Sequence, residues 1–499
     1  MTRADSDDLV LAIDIGTSST RTALFDARAR RLPGTNASEQ YSLRYTSDGG
    51  AELSPLVLRS AVARCYAKTL RAFRASRLLR KKRIAAVGGS ALWHALLGLD
   101  REMRPITPIF TWADSRATDD AARLREIFSE KKIHSRTGCM LRATFWPAKL
   151  LWLKRTEPEL FRRTAFWVSP VDWIFHEFFG ASACSASMAS ATGLYHLQKE
   201  SWDKELTDAC GISIDRLAEI SGHAPGFPNR AVELRDTEVF TAIGDGAASN
   251  LGSGADRPGT VAINVGTSAA VRIMQTSSEC ARTRLPFGLF RYVCDSQRSL
   301  MGGAVSNAGN LRQWFLRELG LKEEPFERAL SRTAAADDLL AVLPFWVGER
   351  APTWPDKQFG VIEGLHQSMG ATDLVRATTT SVFYRLAQIL ELIESAVGRS
   401  SRIVVSGGIL RSDASIKLLA DALGRDIRVA KDTEASLRGA ALHALNQLGV
   451  KIATVPATKL IKCNRALARK HRQRRQQQID LETLLVGRSS KSVVGTAPT

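Results

Sequence analysis

The chain is 499 residues long, 44% hydrophobic and 24% charged, values that suit two globular domains of ordinary size with buried cores. Its 69 Lys and Arg against 51 Asp and Glu leave a net charge of +18, but the basic residues are scattered apart from Arg80–Arg83 and Arg465–Arg475. That dispersal argues against nucleic acid as a partner and leaves a positive field suited to anionic small molecules.

In chain order, the first feature is Leu9–Ile15, a polar turn at Gly16–Arg21, and a second apolar run at Thr22–Phe25. Short β-propensive runs about such a turn predict an antiparallel hairpin. Gly16 lets backbone approach a ligand closely, and Thr17, Ser18 and Ser19 offer N–H and O–H donors to an anion. Asp14, at the hairpin's mouth, is placed to hold Mg²⁺, usually through water. Residues 27–60 read as a polar connection, and apolar spacing from Leu56 to Leu79 predicts an amphipathic helix. Ile84–Val87 reads as a buried strand ending in Gly88-Gly89-Ser90, followed by strands at Leu96–Leu99 and Pro105–Phe110. Strands alternating with helices indicate an α/β fold.

Ser90–His94 is expected to carry its imidazole into a cleft between domains, although a lone histidine is more often structural. Trp112, Asp114 and Arg116 follow at alternate positions. An aromatic, a carboxylate and a guanidinium so spaced suit the hydroxyls and charge of a small polar ligand. The alternative for the same residues is a surface turn with an internal ion pair. Phe145–Lys154 predicts a helix with Pro147 in its first turn, and Gly180–Gly193 is a small-residue segment without obvious chemistry. The region 197–240, with Pro225 and Pro228, suits a boundary between halves.

The second half opens at Gly244-Asp245-Gly246, by default a turn, with a helix expected from Ala247. Ala262–Ser268 then repeats Ala12–Ser18, with Gly266, Thr267 and Ser268 in the places of Gly16, Thr17 and Ser18. Two copies of the phrase imply two related domains, each offering a phosphate-binding hairpin to one nucleotide held between them. A helix is expected over Asp373–Val397. Arg402–Gly408 echoes Arg83–Gly89, a second repeat, and Gly407-Gly408 after a buried strand would let a flat ring such as adenine lie on backbone. Helices are expected over Glu434–Leu448 and, basic and Gln-rich, over Ala466–Leu485. Neither the Gly-Lys-Ser/Thr of a P-loop nor a Gly-x-Gly-x-x-Gly turn occurs, so a nucleotide would rest on the hairpin pair.

Asp14–Arg21, Gly244-Asp245-Gly246, Val265–Ser268, Gly348–Pro352 and Ser406–Gly408 together resemble the FGGY carbohydrate kinases, over about residues 9 to 485. Thr111-Trp112-Ala-Asp114-Ser-Arg116 looks most like the gluconokinase branch, and xylulokinases carry a similar Trp-x-Asp-x-Arg. The resemblance implies two actin/RNase H-like domains related by duplication, closing over an active-site cleft between them. They are expected at 1–240 and 241–486, with 487–499 a disordered tail. It also implies that the Asp14–Arg21 segment and Gly266–Ser268 hold the ATP phosphates and Mg²⁺. Gly407 and Gly408 would lie under the adenosine, Asp245 would be the catalytic base, and His94, Trp112, Asp114 and Arg116 would hold the sugar. Trp93 stands where such kinases carry Met. The chain departs from the family pattern at Phe359, at Thr380-Ser381 and at Trp146.

The implied reaction is ATP-dependent phosphorylation of a terminal hydroxyl, most simply of D-gluconate, whose carboxylate an arginine suits. A xylulose or other ketose or polyol kinase is the alternative. From another class comes a non-catalytic nucleotide- or sugar-binding regulator, which loss of Asp14 or Asp245 would have favoured. The expected partner is a small sugar or sugar acid, with a homodimer left open. Seven dispersed cysteines without a Cys-x-x-Cys or a Cys/His cluster imply neither a disulfide framework nor a zinc site. Asp5, Asp7 and Asp8 leave no room for a signal peptide, and no apolar run reaches the roughly 20 residues of a membrane span, so a cytoplasmic location is expected.

Overall fold

The computed structural model describes residues 8–180, 183–222, 234–331, 340–355, 358–430, 434–450, 452 and 458–492. The proline-bearing boundary segment around Pro225 and Pro228 lies outside them. The chain forms two compact units: Met1–Asp256 with Met274–Met301 and Glu434–Pro456, and Arg257–Ile273 with Gly302–Thr433 and Ala457–Thr499. The first therefore runs past residue 240 and takes in two later segments.

In the first unit Leu9–Ile15 is buried at every position, the pattern of a strand covered on both faces. It pairs antiparallel with Ser19–Asp26, Ile15 facing Thr20 and Asp14 facing Arg21, which is the predicted hairpin. On its other side runs Ile84–Ala91, parallel, with Asp14 opposite Ser90. Beyond that strand lie Glu238–Val239 and Ile243–Gly244, and beyond the hairpin Ala37–Gln40. Helix Pro55–Ala75 lays the stripe Leu58, Ala61, Val62, Cys65, Leu70 and Phe73 inward, against Ser19–Asp26 and its neighbour. Helix Ala435–Gln447 covers Ile84–Ala91 and Leu9–Ile15 and packs on helix Asp245–Gly252.

Two expectations are corrected here. The strand does not end at Val87 but runs through Gly88 and Gly89 to Ala91. A β-carbon on Gly88 would stand 2.4 Å from the carbonyl oxygen of Ala440, so this glycine serves helix–strand packing. The polar connection of residues 27–60 contains a buried strand, Ala51–Leu53, paired antiparallel with Ile109–Phe110. Its Glu52 hid the signal: the carboxylate is buried because Arg44 (2.7 Å) and Arg116 (2.7 Å) neutralise it.

The second unit repeats the plan. Thr260–Val265 pairs antiparallel with Ala269–Thr276 and, on its other side, parallel with Arg402–Ser406, followed by Ile427–Ala430 and Thr458–Ile461. The hairpins correspond as the repeated phrase requires, but the Gly-Gly echo is out of structural register. Asp14 faces Ser90, and its counterpart Asn264 faces Ser406. Ser406 thus matches Ser90 and not Val87, a slip of three residues. Gly88-Gly89 lies inside its strand, whereas Gly407-Gly408 follows the end of its own.

Helix Ala371–Val397 is buried along most of its length, and the C-terminal helix Arg465–Ser492 docks on it. Tyr384 Oη and His471 Nδ1 are 2.9 Å apart, Arg385 pairs with Glu482 at 2.6 Å, and Gln388 bonds Gln478. That helix continues past residue 487, where a tail was expected, to Ser492; 493–499 lie outside the described residues. Among the described residues no helix is long and apolar enough to cross a membrane.

Candidate active site

In the first unit the turn after Leu9–Ile15 is closed by Gly16 N donating to Ser19 O (2.9 Å), and Tyr41 Oη takes up the Gly16 carbonyl (2.6 Å). Thr17 Oγ1 receives the indole N–H of Trp112 at 3.0 Å. Asp14 is 6% exposed and accepts from Ser90 Oγ at 2.8 Å. Arg21 reaches its other oxygen at 3.9 Å and donates to Glu434 at 3.2 Å. Burial pushes the Asp14 carboxyl up to about 6, with the Ser90 bond and Arg21 pulling it down and the charges of Asp245 and Glu434 pushing it further up. Asp14 thus pairs with Arg21 while feeling the negative charges of Asp245 and Glu434.

Asp245 opens helix Asp245–Gly252 and accepts from Gly246 N at 2.7 Å. The residue before it is fixed from two sides. Gly244 N donates to Ser187 Oγ (3.1 Å), and the Trp93 indole crowds its α-carbon while bonding Ser187 O (3.1 Å). Ser185 caps helix Ala186–Ser190 and bonds Ala242 O (2.5 Å). The small-residue segment that offered no chemistry in the sequence is thus what braces the strand leading to Asp245.

His94 has φ +66°, a left-handed conformation that costs a non-glycine residue energy. Its Nδ1 donates to Ala191 O at 2.6 Å, which makes Nε2 an acceptor in the neutral ring. Phe145 and Tyr292 meet the imidazole edge-on at 5.1 and 5.6 Å, and Tyr292 stacks on Phe290 at 4.2 Å. The indole of Trp146 lies stacked with Trp202 and bonded to Ala95 O, so that departure from the family pattern is fully buried.

The Trp112–Arg116 turn holds the internal ion pair weighed as its alternative reading, but in the interior and not on the surface. Asp114 is 3% exposed, accepts from Ala51 N and pairs with Arg116 at 2.5 Å. Arg116 also bonds Glu52 and stacks over Trp152 at 4.4 Å. Its charge already faces two carboxylates of its own chain. Sequence reasoning missed Tyr292, Glu52, Glu434 and Lys149. Only Lys149 had a local signal, a cation inside the apolar run Phe145–Leu153.

In the second unit Gly266 N donates to Ser268 O (2.9 Å), the counterpart of the first turn. Gly309 N and Asn310 N, at the positive end of helix Gly309–Glu318, hold the Gly266 and Thr267 carbonyls at 3.0 and 3.1 Å. Glu349 braces the segment just before that helix, accepting from Ser306 N (2.8 Å), and burial pushes its carboxyl up to about 7. Asn264 Nδ2 bonds Ser406 Oγ (3.1 Å), so the second turn carries an amide where the first carries the Asp14 carboxylate. Gly407 has φ +94°, and a β-carbon there would stand 2.7 Å from Val265 O; Gly408 then begins a tight helical turn.

Two family models match the chain: the N-terminal domain of the FGGY family of carbohydrate kinases at residues 9–251 and its C-terminal domain at 261–448. A gluconokinase of Bacillus subtilis is 29% identical over 461 residues, covering 88% of each chain. A glycerol kinase of Cereibacter sphaeroides is 29% identical over 462 residues, covering 88% of this chain and 91% of its own. Among solved structures, a gluconate kinase and a xylulose kinase, both of Lactobacillus acidophilus, each superpose with a TM-score of 0.84 at 25% identity, over 96% of this chain and 98% of theirs.

Proposed function

The chain belongs to the FGGY family of carbohydrate kinases and is an ATP-dependent sugar kinase, and on that premise we propose that its acceptor is D-gluconate, phosphorylated at the terminal hydroxyl. The observation that carries this choice is the match to the Bacillus gluconokinase over 88% of each chain, joined by the Lactobacillus gluconate kinase. One feature favours a neutral ketose such as xylulose instead: Arg116, the cation expected to meet a carboxylate, is matched by Asp114 and Glu52.

In the proposed mechanism the acceptor hydroxyl oxygen bonds to the γ-phosphorus of ATP, the bond to the β,γ-bridging oxygen breaks, and ADP leaves. Asp245, fixed at the head of its helix, accepts the hydroxyl proton. The turns Gly16–Ser19 and Gly266–Ser268 offer N–H and O–H groups to the phosphates, and Gly407-Gly408 a flat seat for the adenosine. Arg21, shared between Asp14 and Glu434, adds positive charge for the transferring group. His94, Trp112 and Asp114 orient the acceptor, with Arg116 fixing Asp114.

The residues fit Mg²⁺. A buried carboxylate whose charge is disfavoured by burial and two acidic neighbours gains from a cation, and among the described residues no group of three or more side chains forms a protein-only cage. Asp14 would hold it, with water and phosphate oxygens completing its shell. When bound it would neutralise phosphate charge. A cytoplasmic setting and a homodimer belong to the same proposal.

The test is ADP release from MgATP with gluconate, xylulose, glycerol, ribulose or no acceptor, with Asp245→Asn in parallel. Gluconate-dependent turnover that the substitution lowers by at least about a hundredfold is expected. Turnover with xylulose alone would replace gluconate by a ketose.

A further inference from the structure

Lys149 lies within the family fold, yet none of the roles above uses it. It sits in the first turns of helix Trp146–Thr156 and is 1% exposed. Its ammonium donates to two backbone carbonyls from different turns, His94 O at 3.0 Å and Thr111 O at 2.7 Å. Thr111 immediately precedes Trp112 and Asp114. A fully buried ammonium is costly to keep, and carbonyl oxygens alone compensate it poorly. Evolution of packing alone would place a methionine or leucine there, as at Leu150 and Leu153 beside it.

We propose that Lys149 is a positioning residue for the acceptor: it ties the His94 turn to the Trp112–Asp114 turn, so acceptor affinity depends on it and ATP affinity does not. This rests on the proposed reading of His94, Trp112 and Asp114 as acceptor-binding groups. Three features support it. The His94 backbone is left-handed and needs an outside hold on its carbonyl. The Thr111 carbonyl also accepts from Asp114 N at 3.2 Å, so the lysine meets the second turn at the same oxygen that holds the Asp114 backbone. The charged groups facing Lys149 are Asp114 and Arg116, both from the Trp112–Arg116 turn. Burial brings the amine down to about 7, with Asp114 favouring its charge and Arg116 opposing it. The tie therefore weakens across neutral pH, because an amine donates to carbonyls less strongly than an ammonium.

The experiment compares full-length wild type with Lys149→Met, Lys149→Gln and His94→Gln, using gluconate or whichever of the four acceptors turns over. Lys149→Met should raise the acceptor KM by about tenfold or more, the scale of a lost hydrogen bond from a charged donor, with ATP KM and kcat within about threefold. Lys149→Gln, which keeps a donor, should fall between. A folded Lys149→Met enzyme with an unchanged acceptor KM, or with both KM values raised alike, overturns the inference. If His94→Gln leaves the acceptor KM unchanged, the reading of the acceptor site has failed; if it raises that KM and Lys149→Met does not, only the role of Lys149 has. Should both lysine variants lose their circular-dichroism signal, the wild-type pH series decides. The acceptor KM should climb as pH rises through about 7, and a level acceptor KM overturns the proposal.

Discussion

The indole of Trp93 lies so close to the α-carbon of Gly244 that a β-carbon there would stand 1.8 Å from ring atoms Cε2 and Nε1. Gly244 is the residue before Asp245, so the ring and the proposed base are one peptide apart. Gly244→Ala must push either the indole or the helix start aside. We predict a fall in kcat of at least about tenfold, because a shift of about 1 Å at a reacting group has that effect or more. Adding Trp93→Leu should recover part of it, since the clash is with the ring. Steady-state kinetics of the two single variants and the double variant check this; simple additivity would show that Trp93 and Gly244 do not act on Asp245 together.

Much of this arrangement was legible in the sequence, and the exceptions have common physical causes. The hairpins at Gly16 and Gly266 were readable because strand, turn and glycine all announce themselves locally. The Gly-Gly echo misled because identical letters served different ends: Gly88 clears the Ala440 carbonyl, while Gly407 adopts a conformation closed to other residues. Arg116 and Glu52 are 64 residues apart, and nothing near either one reveals that the two charges meet in the interior. The support given to Gly244 by Ser187, and to His94 by Ala191, is likewise invisible to any local pattern.

Gly407 gives the second prediction. Its φ of +94° and ψ of −164° belong to a region that only glycine enters cheaply, with a cost of about 1–3 kcal/mol for other residues. A β-carbon would also press on Val265 O at 2.7 Å, at the end of the strand that carries the second phosphate turn. Gly407→Ala should therefore lower stability by about 1–3 kcal/mol and raise the ATP KM while leaving the acceptor KM in place. Equal effects on both KM values would remove Gly407-Gly408 from the adenosine role.

The C-terminal helix is held by a fully buried ion pair, Arg385 with Glu482, in which Thr353 bonds both partners. Removing one charge strands the other in the interior. Glu482→Leu should cost about 3–5 kcal/mol in urea unfolding. Replacing both, Arg385→Met with Glu482→Leu, should recover most of that, because the pair's own attraction only offsets its desolvation. A double variant as unstable as the single one would mean that the pair itself, and not the orphaned charge, stabilises the docked helix.

The same helix is expected to be acid-sensitive through His471. Burial pushes its imidazole down to about 4, and Nδ1 lies 2.9 Å from the Tyr384 hydroxyl in a buried contact where the charged ring is disfavoured. A histidine whose folded pKa lies below its unfolded value of about 6.5 gives stability that is complete above 6.5 and declines as pH falls toward 4, by up to about 3 kcal/mol. The buried carboxyls of Asp172 and Glu349, both raised to about 7, act in the opposite sense, so the pH profile of the wild type alone mixes the two. His471→Asn keeps a hydrogen-bonding partner for Tyr384 and does not titrate, and the other groups cancel in the difference between the two proteins. Urea unfolding at several pH values should show the variant gaining on the wild type as pH drops from about 6.5 to 4. A constant difference would mean that His471 enters the folded state charged and that the C-terminal helix is insensitive to acid at this contact.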